Sequence, residues 1–268
     1  MSDLAAPANA DSKFTELNQI LSEGDFDRLE NLWMEILGNS GQLASSVAEL
    51  AAAGIEGLRL GYEAEIKPLL ELTWGALGEG EEGASLGVDA GDKAALGEAL
   101  VRAFPSNKEY LAYFLDAFLE SNDPMSVERA FFNACGIEDA PDKVEALDRL
   151  SQLLEYKPGA IVYHESGWGM GEVLEVDALL GQVRVDLDEK KDHRISIDAV
   201  DSILQLIPVD SFRGLCFRSS EELTRMVEED PVSLIQKVLD DFGSPMAQKD
   251  IKAHLTASAI DASGWTRW

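Results

Sequence analysis

The chain has few of the residues that build metal sites and disulfide frameworks. Its 268 residues include two cysteines and three histidines. Cys135 and Cys216 lie far apart and form no C-x-x-C pair, which is the spacing that zinc sites and redox motifs use. We therefore expect no bound metal, no disulfide framework and no other cofactor.

Segments that direct a chain to membranes are also lacking. The N-terminus has neither the basic stretch nor the apolar stretch of a signal peptide. No apolar run approaches the roughly 18 residues that a transmembrane helix needs. We expect a cytoplasmic protein with no membrane partner.

Positive charge is scarce and unevenly distributed. The chain has 50 acidic and 22 basic residues, for a formal net charge of −28. Residues 1–155 carry −20 of this charge, residues 156–210 carry −6 and residues 211–268 carry −2. Because a negative surface repels phosphate groups, the sequence disfavours nucleic acid binding by the N-terminal region and leaves it open for the C-terminal one.

Evidence for catalysis is weak. We find no convincing pairing of a nucleophile with a base. The glycines of residues 167–171 superficially resemble a dinucleotide loop, but EVLEVD follows them and predicts a strand where that loop needs a helix. We expect a protein that is not an enzyme and that has no small-molecule substrate.

Residues 1–155 are predicted to form an array of helices. Apolar residues recur there at helical spacing, and one such stripe comprises Phe26, Leu29, Trp33 and Ile36. Asp25 is a candidate N-cap, and Ser106 and Glu109 have the spacing of a capping box. The stretch at 78–91, rich in glycine and acid, predicts a flexible loop between two helical halves.

Residues 156–212 change to the alternating pattern of strands. Short strands are predicted at 160–164, 172–176, 183–187 and 194–197. Four or more short strands in about fifty residues indicate a small, strongly bent barrel of the SH3-like kind.

Residues 213–268 return to a helical pattern. Ser219 and Glu222 have capping-box spacing, Asp230 is an N-cap ahead of a proline, and Gly243 ends the next helix. This pattern predicts a winged-helix-like module of three helices. The predicted fold class is thus multidomain and mainly α, with a helical array, a small SH3-like β-barrel and this C-terminal module.

Trp168, which stands between two glycines, is the strongest candidate partner anchor; a buried core position is the alternative. Gly167, Gly169 and Gly171 are predicted to form a tight turn between strands. The remaining partner-binding candidates are His164, Met170 and Arg194. His164 and His193 stand at strand ends that a small barrel could bring together, although no third metal ligand suggests itself.

Candidate nucleic acid contacts are restricted to the nearly neutral C-terminal module. They are Arg225, Lys249 and Lys252, of which the two lysines lie about one helical turn apart. A solvated surface is the alternative interpretation of these side chains. We expect any nucleic acid contact to be weak or indirect.

A motif in the barrel region connects the chain to a known family. Its pattern is V-x-H-x-x-G-W-G-x-G-x-V, formed by Val162, His164, Gly167, Trp168, Gly169, Gly171 and Val173. The segment DPVSLIQKVLDDFGSPMAQKDIKAHL follows it. Residues 105–268 resemble the N-terminal and central part of long, multidomain relatives of the GreA and GreB transcript cleavage factors.

The resemblance implies a transcription elongation factor that associates with RNA polymerase. Gre factors stimulate RNA cleavage with acidic residues on a coiled-coil hairpin, and this chain has no sustained heptads of that kind. We therefore expect a truncated chain or a member without the cleavage domain, which docks on RNA polymerase through protein contacts without catalysing a reaction. The alternative is a general helical interaction scaffold unrelated to transcription.

Overall fold

The structure is a computed structural model that describes residues 10–39, 43–77, 87–243, 245–260 and 265. The chain divides into two compact units, Met1–Leu150 and Ser151–Trp268. Within the described ranges, no helix has both the length and the apolar character needed to cross a membrane.

The described secondary-structure elements of the first unit are all helices, the last of which ends at Leu153 of the second unit. Helix α3 packs against α1, α2, α4 and α5, and α5 packs against α6. Large apolar side chains such as Trp33, Leu50, Leu70, Leu96 and Phe114 are fully buried between the helices. The helices are α1 (Ala10–Glu23), α2 (Phe26–Gly38), α3 (Leu43–Arg59), α4 (Glu63–Ala76), α5 (Ala90–Ala103), α6 (Lys108–Ser121), α7 (Val127–Cys135) and α8 (Lys143–Leu153).

Two predictions for this unit need adjustment. The N-cap of α6 is Asn107, whose side chain accepts from the backbone N–H groups of Glu109 and Tyr110, and not Ser106. The loop predicted at 78–91 lies outside the described residues over 78–86, and its last two positions are helical because α5 begins at Ala90.

A curled antiparallel sheet of five strands opens the second unit, in the order β4-β3-β2-β1-β5. The strands are β1 (Ile161–His164), β2 (Gly169–Asp177), β3 (Gln182–Leu187), β4 (His193–Ser196) and β5 (Leu204–Ile207). Burial alternates along β3, with Val183, Val185 and Leu187 inside. The alternation that predicted this strand is therefore confirmed. The SH3-like identity of the sheet stays a prediction.

Strand β5 is an addition to the predicted set. It follows the short helix α9 (Val200–Ile203) and pairs with β1, placing Leu204 opposite His164. The hydroxyl of buried Tyr156 donates to the carbonyl oxygen of Leu204 at 2.6 Å. Burial raises the pKa of this tyrosine to about 12, so the hydroxyl keeps the proton that it donates.

Four helices complete the described part of the second unit. They are α10 (Phe212–Arg218), α11 (Ser220–Glu229), α12 (Pro231–Phe242) and α13 (Gln248–Ser258). The three predicted helices correspond to the last three, and α10 is an addition. Leu215, Leu223, Leu234, Val238 and Leu255 form their common core. Among the residues described after 211 there is no strand, so the wing of the predicted module is not seen there.

Candidate functional site

The turn between β1 and β2 presents Trp168. This turn comprises residues 165–168, and Gly167 at its third position has a φ of +98°, which side-chain-bearing residues rarely adopt. Gly169 and Gly171 were predicted to belong to the turn, but both lie in β2, opposite His164 and Val162 of β1. Gly169 has a positive φ of +78° and lies against the Asp188 side chain, whereas Gly171 allows the backbone of residues 186–187 to approach closely.

Trp168 lies between two imidazole rings. The ring centroids of His164 and Trp168 are 4.3 Å apart with an interplanar angle of 33°. His193 meets Trp168 edge to face at 4.8 Å, and the Lys190 Nζ lies 5.7 Å from the Trp168 ring centroid. These four residues are called the Trp168 cluster below. Trp168 itself is half-buried, so it combines a fixed position with an accessible face.

The backbone holds the β3–β4 loop against Trp168. The N–H of Glu189 donates to the Trp168 carbonyl oxygen at 3.2 Å, and the N–H of Asp188 donates to that of Met170 at 2.8 Å. In return, the Met170 N–H donates to the Asp188 carboxylate at 2.9 Å. The loop that carries Lys190 and leads into β4 is therefore fastened to Trp168 and to the start of β2.

Lys190 brings an ammonium group to the Trp168 cluster. The pKa of His193 is lowered first by burial and then by Lys190 and His164. His164 is 6% exposed, and its Nδ1 accepts from the Ser166 N–H at 3.1 Å, so the backbone of the turn fixes the orientation of this ring. The cluster therefore offers an aromatic surface beside one ammonium group.

The other predicted partner-binding residues occupy different surroundings. Met170 lies half-buried in β2, next to the turn, and pairs with Tyr163. Arg194 is exposed on β4 opposite Arg184, and side chains alternate between sheet faces, so Arg194 and His193 project from opposite faces. The structure thus unites His164 and Trp168, places Met170 beside them and separates Arg194 from them.

Lys190 was missed at the level of sequence. The predicted approach of His164 and His193 occurs, with Trp168 between them. Lys190 joins them because the β3–β4 loop folds back on itself. The carbonyl oxygen of Lys190 accepts from the Leu187 N–H at 2.9 Å. A pair of lysines in the turn at 190–191 was the available signal, but charged turn residues are usually solvated.

A cleft of about 550 Å³ adjoins Met170 in the second unit. Its walls include Tyr163, Phe217, Phe242 and His254. The guanidinium carbon of Arg213 lies 5.9 Å from the ring centroids of both Tyr163 and Phe242. The Arg213 Nη1 donates to the Gln205 Oε1 at 3.3 Å. Arg213 was also missed, since nothing near it in sequence indicates two aromatic neighbours.

The predicted nucleic acid contacts do not form one cationic patch. Arg225 is exposed on α11 but forms an ion pair with Glu222 at 2.7 Å, and three further glutamates belong to that helix. Lys249 and Lys252 are exposed on α13, where Lys252 Nζ lies 5.9 Å from the Trp265 ring centroid. The two lysines therefore form a small basic surface apart from acidic α11. In the described part of the chain, no group of three or more His, Cys, Asp or Glu residues could hold a metal ion.

Comparison with known proteins first defines the C-terminal part. A family model described as the GRAD helix-turn-helix domain matches residues 213–268, in agreement with the helices found there. Two curated relatives extend the similarity. They are transcription elongation factor GreA of Chlamydia pneumoniae and transcription elongation factor GreA of Chlamydia trachomatis serovar D.

Each relative is 29% identical to this chain over 136 residues, which is 50% of the chain. The matched region covers 18% and 19% of the two relatives, so the chain spans less than a fifth of their length. No solved structure matches the chain. The coarser part of the predicted resemblance, a relationship to GreA, is confirmed over half of the chain.

Proposed function

We propose that this chain is a non-catalytic, RNA-polymerase-docking part of a Gre-like transcription elongation factor. The observation that carries this proposal is the similarity to GreA over 136 residues. We further propose that it corresponds to the part of a multidomain factor that lies outside the coiled-coil cleavage domain. In this role the chain holds protein surfaces against polymerase and performs no chemical step.

The Trp168 cluster supplies the proposed docking surface. Tryptophan is enriched among residues that dominate binding energy, especially when neighbours fix its position. Trp168 meets this condition because two imidazoles contact its ring and its carbonyl oxygen is hydrogen-bonded to the next loop. Lys190 adds a positive charge beside it, which favours an acidic or polar contact on the polymerase.

The test is binding of the full 268-residue chain to core RNA polymerase from the same organism. We expect Trp168→Ala to weaken binding about tenfold or more, the loss typical of a central aromatic anchor. Leu179→Ala is the matched control, because Leu179 is 75% exposed in the β2–β3 turn of the same sheet. Equal affinities of the wild-type chain and Trp168→Ala would refute the docking role of Trp168, and failure of the wild-type chain to bind polymerase would refute the proposed function. Partners that exclude polymerase would favour the general scaffold instead.

A second candidate function is nucleic acid contact through α13. It is favoured by the helix-turn-helix match over residues 213–268 and by the exposed Lys249 and Lys252. Loss of two phosphate contacts is expected to reduce the slope of log affinity against log salt by about two. The double variant Lys249→Gln/Lys252→Gln should show this change in a gel-shift titration. Arg225→Gln should not, because that side chain lies on α11 among four glutamates, whose charge repels phosphate groups.

A further inference from the structure

A groove of about 620 Å³ lies between α1 and α3 in the first unit. Its floor is apolar because small or apolar side chains of α1, α3 and the turn that follows α3 line it. Those residues are Phe14, Leu21, Ala52, Ala53, Leu60 and Tyr62. Leu60 leaves 45% of its surface exposed, so the groove offers apolar area that the described part of the first unit does not cover.

Carboxylates line one side of this groove. Glu49 and Glu56 project from α3, whereas the α1 side carries the neutral polar residues Asn18 and Ser22. No lysine or arginine is present among the described residues that line it. Among the described residues, Glu56 pairs with Arg59 at 3.9 Å, and both side chains are about half exposed or more. Such a contact is weak, so Glu56 can exchange it for another cation.

The spacing of the two glutamates sets a distance that a ligand must match. Glu49 and Glu56 lie seven positions apart, which is about two turns of α3 and roughly 10.5 Å along its axis. A second helix lying along the groove would present side chains at i and i+7 with the same separation. Apolar residues between those positions would face the floor.

We propose that the α1–α3 groove binds a basic amphipathic helix of another protein. The apolar face of that helix would cover Phe14, Ala52 and Leu60, and lysines or arginines two turns apart would pair with Glu49 and Glu56. Charge complementarity favours this occupant, because residues 1–155 carry a net charge of −20 and attract cationic partners. Helix-in-groove recognition works through such regularly spaced anchors. This surface belongs to the first unit and the Trp168 cluster to the second, and its occupant is independent of the proposed polymerase contact.

The test uses the full chain and a fluorescein-labelled 18-residue peptide. The peptide has leucines along one helical face and lysines at i and i+7 beside them. A peptide of the same composition, scrambled so that it has no apolar face, is the reference. We expect the amphipathic peptide to bind at least tenfold more tightly than the scrambled one. Equal binding of the two peptides would overturn the proposal, since it would show attraction by net charge alone.

Charge variants locate the binding site. Glu49→Gln/Glu56→Gln should weaken the amphipathic peptide about fivefold, as expected for the loss of two exposed ion pairs. Glu109→Gln/Asp116→Asn is the matched control, with the same charge change and the same seven-residue spacing on α6. It should change the affinity less than twofold. Equal weakening by both pairs would place the peptide outside the groove.

Apolar variants test the floor separately. Leu60→Ser should weaken the peptide, whereas Leu119→Ser, at a comparably exposed leucine of α6, should not. All four positions in the charge variants are exposed, so circular dichroism should report unchanged folding. An unchanged affinity in Leu60→Ser would contradict an apolar contact at the groove.

Two other occupants would also overturn the proposal. If light scattering shows a dimer that Glu49→Gln/Glu56→Gln dissociates or strengthens, the groove is an interface between copies of this chain. If removal of residues 1–9 tightens peptide binding more than tenfold, the chain's own N-terminal segment is the occupant. We expect neither result.

Discussion

Gly171 and Asp186 lie so close together that a side chain at residue 171 has no room. A Cβ at Gly171 would stand 2.0 Å from the carbonyl oxygen of Asp186 and 2.8 Å from its carbonyl carbon. Strands β2 and β3 pair antiparallel here, with Gly171 opposite Leu187. The close approach brings residues 186–188 beside the strand that follows Trp168.

Gly171→Ala is expected to destabilise the second unit by about 2–3 kcal/mol, because the clash is with backbone that cannot rotate away. Gly75→Ala is the control, since nothing lies within 4 Å of a Cβ at this glycine of α4. Alanine should there be neutral or stabilising by up to about 1 kcal/mol. Urea unfolding monitored by circular dichroism measures both changes. A Gly171→Ala protein as stable as the wild type would contradict the close pairing of β2 and β3.

Local signals predicted the helix boundaries better than the turn. Asp25, Ser219 and Asp230 were expected as N-caps, and each accepts the expected backbone N–H. A cap depends on residues within three or four positions, so the sequence pattern contains the whole interaction. Gly171 was instead assigned to a turn. Its strand role depends on Asp186, which lies on another strand, and a contact between residues far apart in sequence leaves no local pattern.

The cap of α6 offers a direct comparison between neighbouring residues. The Asn107 side chain accepts from the Glu109 N–H at 2.9 Å and from the Tyr110 N–H at 3.4 Å. Asn107→Ala should therefore cost about 1 kcal/mol of unfolding free energy. Ser106→Ala should cost less than about 0.5 kcal/mol, as surface substitutions usually do. Urea denaturation distinguishes the two, and a larger loss in Ser106→Ala would restore the capping box predicted from the sequence.

A buried hydrogen bond in the first unit provides a second stability test. Trp33 and Thr73 are fully buried, and the Trp33 Nε1 donates to the Thr73 hydroxyl at 2.9 Å. Thr73→Val leaves this N–H without an acceptor, which should cost about 1–3 kcal/mol.

Two variants separate the hydrogen bond from packing. Thr73→Ser keeps the hydroxyl and should recover part of the loss. In a Trp33→Phe background, Thr73→Val should cost less, because no indole N–H remains to be stranded. Equal costs of Thr73→Val in both backgrounds, measured by thermal unfolding, would show that the hydrogen bond contributes nothing.

The candidate site was only partly accessible from the sequence. Trp168 was recognised because glycines flank it, and His164 because it ends a strand in the same short motif. Lys190 and His193 reach Trp168 only through the β2–β3–β4 pairing and the β3–β4 loop. Alternation in β3 and β4 predicted the strands, but not how their connecting loop would fold back. The contact with Lys190 therefore required the structure.

The Trp168 cluster should make stability depend on pH below about 6.5. Burial, followed by Lys190 and His164, lowers the pKa of His193 from its ordinary value of 6.5. Below pH 6.5 the unfolded chain therefore binds more protons at this residue than the folded one. The unfolding free energy consequently decreases as the pH is lowered, until the pH has dropped below the folded-state pKa of His193. The lowered pKa of Asp230, which arises mainly from hydrogen bonding to Ser233, affects stability only below its ordinary value of 3.8 and therefore lies outside this pH window.

His193→Asn should flatten the pH dependence of the unfolding free energy between pH 7.5 and 5.5. Lys190→Gln should flatten it less, because burial remains. NMR titration of the His193 ring checks the cause directly, and a pKa at or above 6.5 would contradict it.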